Sequence, residues 1–122
     1  MDITCVTFDC ADHRLVAEFR AGALGWEATD FEHSSIVARP GVRAMYLEFV
    51  TVPEPKTIKN RLHLGHETAI GLDAEMARLE ALGAVFAWEE DFEGDEHYRN
   101  VVMRDPEGNE FCLGWRDTTA AP

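Results

Sequence analysis

The chain has 122 residues, 46% of them hydrophobic and 28% charged, with 23 Asp and Glu against 11 Lys and Arg and a formal charge of -12 at pH 7. That length suits one domain with one core, and the acidic excess argues against nucleic acid or an anionic membrane as partner, because like charges repel at long range. No basic start with an apolar run opens the chain, and no segment approaches the roughly 20 apolar residues of a membrane span, so the expected location is cytoplasmic.

The opening "DITCVTFDC" reads as a strand, with Val6, Phe8 and Cys10 on one face and Cys5, Thr7 and Asp9 on the other. Asp12 is placed to cap a helix over "HRLVAEFRAGAL", whose Leu15, Val16, Phe19 and Ala23 make an apolar stripe, and Gly25 is placed to end it. His13, at the helix start, is expected to be solvated. "GWEATDFE" and "HSSIVAR" read as a hairpin, and Pro40-Gly41 marks a turn before the strand "RAMYLEFVTV". The first half is thus β-α-β-β-β.

"PEPKTIKN", residues 53–60, has two prolines and no apolar period, and reads as a connection. The same order then repeats. "NRLHLGHE" is strand-like, Leu72, Met76, Leu79 and Leu82 recur at helical spacing, and Gly83 closes the helix. "AVFAWEEDFE", "HYRNVVMRD" and "NEFCLGW" supply three more strands. Between the last two, Asp105-Pro106-Glu107-Gly108 has the chemistry of a type I turn. Both helices end in Ala-Leu-Gly, and the offset of 58 that carries Leu24 onto Leu82 carries Cys5 onto His63. Module one spans about 1–52, the connection 53–60, module two about 61–116 and a short tail 117–122, all within a single domain over 1–122.

Alternation then assigns faces. Met45, Leu47 and Phe49 leave Tyr46 and Glu48 opposite; Leu62 and Leu64 leave Arg61 and His63 opposite; Phe111 and Leu113 leave Glu110 and Cys112 opposite. If each helix covers the apolar face of its own half-sheet, Cys5, Glu48, His63 and Glu110 are expected to share a cavity lined by the remaining faces. Tyr46, Arg61 and Cys112 are candidate ligand contacts there. His66 falls opposite His63, so "HLGH" is no ready-made chelate on a strand.

"VTFDCADHRLVAEFRAGALGW", "VPEPKTIKNRLHL" and "RDPEGNEFCL" resemble the glyoxalase, bleomycin-resistance and extradiol-dioxygenase superfamily, also called vicinal oxygen chelate proteins. The resemblance implies an α+β fold of two βαβββ modules forming a partly closed, mixed sheet around a ligand cavity, with metal ligands on the opening and closing strands. His63 resembles the histidine of the second module's opening strand and Glu110 the glutamate of its closing strand. Glu48 occupies the similar closing position of the first module. Cys5 stands where metal-dependent members have histidine or glutamine. The resemblance also implies a homodimer.

A thiolate, an imidazole and carboxylates form a donor set for a divalent, zinc-like metal, giving His63, Glu110, Glu48 and Cys5 as metal candidates. Dioxygen activation normally uses two histidines and a carboxylate, and only one histidine lies on the inferred cavity face, which disfavours that chemistry. Metal-dependent isomerisation or lyase chemistry would use Glu110 or Glu48 as base. Against this stand plainer expectations. Glu110 can be an inward carboxylate paired with Arg61, Arg99 or a backbone donor; His63 can contact a ligand directly; Cys5 can simply fill space. The six acidic residues of "EEDFEGDE" fit a solvated hairpin tip, and Trp26, Trp88 and Trp115 fit either core packing or an aromatic cavity wall. No P-loop, dinucleotide fingerprint, nucleophile elbow or CxxC is present, and three cysteines, few and odd in number, suit a reducing compartment better than a disulfide framework. Two functions remain: a glyoxalase-like metal-dependent lyase or isomerase, and a metal-free protein that sequesters a drug or metabolite. A third reading leaves the cavity vestigial and gives the domain to protein association.

Overall fold

The computed structural model describes residues 1–90 and 97–116; most of the acidic run and the tail 117–122 lie outside the described residues. The chain divides into two units, Met1–Ile58 and Lys59–Pro122.

In the first unit, strand β1 (Cys5–Cys10) leads into helix α1 (His13–Leu24), followed by β2 (Glu27–Asp30), β3 (Ser34–Ala38) and β4 (Tyr46–Thr51). The last three form an antiparallel meander and β1 joins β4 in parallel, giving the order β1-β4-β3-β2. A parallel neighbour requires a long crossover, which α1, β2 and β3 supply. The helix starts and stops where its caps dictate. Asp12 is extended and accepts a hydrogen bond from the Leu15 N–H at 3.2 Å, while Gly25 adopts the left-handed conformation, with φ of 68°.

The core of this unit lies between α1 and one sheet face. Val16, Ala17 and Phe19 of the helix are buried, as are Cys10, Val37, Leu47 and Phe49 of the strands. Each large apolar side chain so enclosed contributes about 1.5–3 kcal/mol. Leu15 is 45% exposed, so the helical stripe is narrower than its apolar residues suggest. Arg20 joins the buried face instead, its guanidinium 5.0 Å from the centre of the Phe8 ring. His13 is not solvated: it is 6% exposed, because its ring is drawn inward by Ser35 Oγ, 2.7 Å from Nδ1, with the Glu32 carbonyl 3.2 Å from Nε2.

The second unit repeats the plan with β5 (Leu64–Glu67), α2 (Leu72–Ala81), β6 (Val85–Glu90), β7 (Tyr98–Arg104) and β8 (Glu110–Arg116), in the order β5-β8-β7-β6. Helix α2 carries Asp73 and Glu75 in its first turn and Arg78 in its last, the arrangement its dipole favours. Leu72 and Leu79 are buried, whereas Leu82 lies at the cap, past the last helical residue, and is 42% exposed. The turn between β7 and β8 closes as its sequence predicts. The Gly108 N–H donates to the Asp105 carbonyl at 2.9 Å, and Asp105 Oδ1 accepts from the N–H groups of Glu107 and Asn109, both at 2.9 Å. Those bonds offset the burial of the Asp105 carboxylate.

Both units are therefore βαβββ modules with the same strand order, each an open, mixed four-stranded sheet with one helix: an α+β protein. Among the described residues, no helix is long and apolar enough to cross a membrane.

Candidate ligand-binding site

In the first unit, α1 covers the face bearing Cys10, Leu47 and Phe49, so alternation turns Cys5, Thr7, Tyr46 and Glu48 to the other face. The register sets Cys5 beside Tyr46 and Thr7 beside Glu48. The Thr7 hydroxyl donates to Glu48 Oε1 at 3.0 Å, and its oxygen lies 3.9 Å from Cys5 Sγ. Charge on Cys5 and its hydrogen bond raise the pKa of the Tyr46 phenol above its usual value, with burial and Glu48 acting in the same direction. Tyr46 is thereby kept a neutral donor. This face offers a thiol, a phenol, a hydroxyl and a carboxylate, all within reach of one small ligand group.

In the second unit, Phe111 and Leu113 are buried, and Glu110, Cys112 and Gly114 take the alternate face of β8. The register places Arg104 opposite Glu110, and Val102 opposite both Cys112 and Trp88. Glu110 is 4% exposed, and its Oε2 lies 2.7 Å from the ammonium of Lys59. Its backbone N–H donates to Asn60 Oδ1 at 3.1 Å. Lys59 Nζ is 5.4 Å from the centre of the Trp88 ring and the Arg104 guanidinium 5.7 Å from it, both within cation–π range. The Trp88 indole N–H donates to Glu90 Oε1 at 3.1 Å, which fixes the ring's orientation.

The cation beside Glu110 is thus neither Arg61 nor Arg99. Arg61 is exposed, and Arg99 is engaged with Glu89 at 2.7 Å. His63 is exposed and precedes β5, because the ladder with β8 begins only at Leu64, opposite Phe111. His66 takes the buried side, donating from Nδ1 to the Cys112 carbonyl at 3.1 Å. Burial raises the pKa of the Cys112 thiol, which keeps it neutral and poorly nucleophilic. Its sulfur would sit 3.2 Å from a Cβ placed on Gly65. Two open clefts in this unit, of about 280 and 330 Å³, flank Trp115 and contain none of the candidate residues.

Lys59 and Asn60 escaped the sequence reading because they lie in a stretch without periodicity. Nothing local marks Lys59 as the partner of a residue 51 positions away. Arg104 was more accessible to inference, since a hairpin closed at Asp105 and Asn109 must set Arg104 against Glu110.

A metal fits poorly on the residues present. Among the described residues, no three His, Cys, Asp or Glu side chains gather as a metal-holding group. Glu110 already has an ammonium as its counter-ion.

Comparison with known proteins follows the same lines. Residues 5–114 match the model of the glyoxalase-like domain family. No curated protein matches the sequence. Among solved structures, a glyoxalase/bleomycin resistance protein/dioxygenase family enzyme from Burkholderia phytofirmans PsJN is 18% identical with a TM-score of 0.73, the alignment covering 93% of this chain and 98% of that one. A glyoxalase/bleomycin resistance protein from Albidiferax ferrireducens T118 is 22% identical with a TM-score of 0.67, over 93% and 98% of the two chains. A mutant of the fosfomycin resistance protein FosX from Listeria monocytogenes, solved with Mn(II) and 1S,2S-dihydroxypropylphosphonic acid, is 14% identical with a TM-score of 0.73, over 96% and 91%. At these identities the likeness establishes the fold. With the family model spanning most of the sequence and the paired βαβββ modules in place, the chain belongs to the glyoxalase-like domain family of the vicinal oxygen chelate superfamily.

Proposed function

We propose that this protein binds and sequesters a small organic molecule without a metal, using the sheet face of the second unit that carries Glu110, Cys112 and Trp88. The observation that carries this reading is the ion pair between Lys59 and Glu110. A carboxylate that is 4% exposed needs a counter-charge, and here the chain supplies its own at 2.7 Å. A divalent cation on the same carboxylate would face the ammonium. The Lys59 side chain is 63% exposed, so solvent screens the repulsion between the two, but its sign works against a cation at Glu110. The FosX mutant binds Mn(II); in this chain the place beside the closing-strand glutamate is taken by Lys59.

On this reading Glu110 and Glu48 act as anchors for Lys59 and Thr7 rather than as bases, and no reaction step is assigned to them. The test is calorimetric titration of Mn(II) and Zn(II) into chelator-treated, reduced protein, wild type and Glu110→Gln, with a ligand-observed NMR screen of small organic molecules in chelator. The expected result is metal isotherms that coincide for the two proteins, and ligands that bind and are recovered unchanged. One equivalent of metal bound by the wild type and lost in Glu110→Gln, or conversion of a bound compound, would restore the metal-dependent lyase or isomerase.

A further inference from the structure

We infer that the ligand carries an oxyanion, a carboxylate or a phosphorus oxyanion, and that the guanidinium of Arg104 receives it beside the Trp88 ring; the inference rests on the metal-free binding reading above. It starts from a pairing the strands offer and the side chains decline. Arg104 and Glu110 are directly opposite on β7 and β8, so their Cβ atoms are about 4.5–5.5 Å apart on one face. A guanidinium and a carboxylate so placed ordinarily join through two parallel hydrogen bonds. Here Glu110 turns to Lys59 at 2.7 Å.

Arg104 is left exposed, lying over Trp88, and among the described residues no carboxylate pairs with it. That is notable in a chain with 23 acidic and only 11 basic side chains. Arg78 and Arg99, by contrast, each hold a glutamate at 2.8 and 2.7 Å. Lys59 therefore has two effects: it satisfies the buried carboxylate, and it releases the fork of Arg104.

The neighbourhood defines the rest of the ligand. Lys59 and Glu110 cancel in charge, and Glu90 is hydrogen-bonded to the indole N–H. The chain's formal charge of -12 works against an anion at long range, so recognition falls to the short-range geometry of the fork, which matches a planar or tetrahedral oxyanion through two donors. Trp88, half-buried on the same face and set opposite the fully buried Val102, adds apolar surface. A small molecule with an anionic end and an apolar body meets both features.

The experiment titrates benzoate, phenylphosphonate and the uncharged analogue benzamide into chelator-treated protein, wild type, Arg104→Gln and Arg104→Lys. Binding is read by calorimetry and by NMR shifts of the Arg104 Nε–H and Trp88 indole N–H resonances. Circular dichroism checks the fold, which substitution of an exposed side chain leaves intact. At least one anion is expected to saturate the wild type and move both resonances, with affinity about ten-fold weaker in Arg104→Gln. Arg104→Lys is expected to recover only part of it, because an ammonium lacks the fork. The preferred anion identifies carboxylate or phosphonate as the chemistry. No saturable binding of either anion, or affinities in Arg104→Gln within about two-fold of wild type, would overturn the inference. Benzamide binding where neither anion binds would sink the oxyanion while sparing metal-free binding. Metal uptake dependent on Glu110 would do the reverse, leaving the Arg104 effect measurable on its own.

Discussion

Gly114 stands where any larger residue would collide with a neighbour. A Cβ built there overlaps the hydroxyl of Tyr98 and comes within 3.0 Å of its ring carbon Cζ. Tyr98 reaches Gly114 diagonally across the β7–β8 ladder, in which Gly114 is itself opposite Asn100. We expect Gly114→Ala to destabilise the protein by about 1–3 kcal/mol through overpacking. Denaturant unfolding measures it, and the loss should shrink in a Tyr98→Phe background, where the closest atom is gone. Equal losses in both backgrounds would show that the hydroxyl is not the obstacle. The same scale decides pairing on the second sheet: Glu110, Arg104 and Lys59 sit within one small patch, and a few ångströms of side-chain reach determine which two become partners.

Elements are tied down by buried polar bonds as well as by apolar contact. The start of α1 is fastened to its sheet by a chain from His13 through Ser35 to Asp30, with His13 Nδ1 2.7 Å from Ser35 Oγ and the Ser35 hydroxyl donating to Asp30 Oδ1 at 2.6 Å. The His13 backbone N–H adds a bond to Thr51 Oγ1 at 3.2 Å. Ser35 is fully buried, so Ser35→Ala removes both bonds and leaves His13 Nδ1 without its partner, while Nε2 keeps the Glu32 carbonyl; a cost of about 1–3 kcal/mol follows from stranding a buried polar group. A double-mutant cycle with His13→Ala checks the linkage. Coupling near zero would mean that the two side chains stabilise the helix independently. The sequence placed His13 correctly at the helix start, but a helix start alone does not say which way the imidazole points. That direction came from β3, 22 residues further on.

For the molecule as a whole, charge is the dominant sequence-level feature. With a formal charge of -12, mutual repulsion among carboxylates opposes compaction. Raising ionic strength from about 0.01 to 0.15 M shortens the Debye length from roughly 30 to 8 Å, which damps that repulsion. It also weakens exposed ion pairs such as Glu75–Arg78 and Glu89–Arg99, but those contribute only about 0–1 kcal/mol each. We therefore expect the melting temperature to rise by a few degrees over that range, measured by calorimetry in sodium chloride. A fall would mean that specific pairs outweigh the net field.

The sequence by itself determined what depends on neighbours along the chain. Asp12 and Gly25 bounded the first helix, Asp105 to Gly108 made the last turn, and alternation separated Phe111 and Leu113 from Glu110 and Cys112. The repeated β-α-β-β-β order followed from the same local periods. Tertiary structure alone decided which groups meet: Lys59 rather than Arg61 or Arg99 at Glu110, Ser35 at His13, and the start of β5 at Leu64, just past His63. The physical reason is that backbone periodicity sets the direction in which a side chain leaves its own element. What it finds there belongs to residues far away in the chain, and a buried charge takes whichever counter-ion the assembled fold brings within reach.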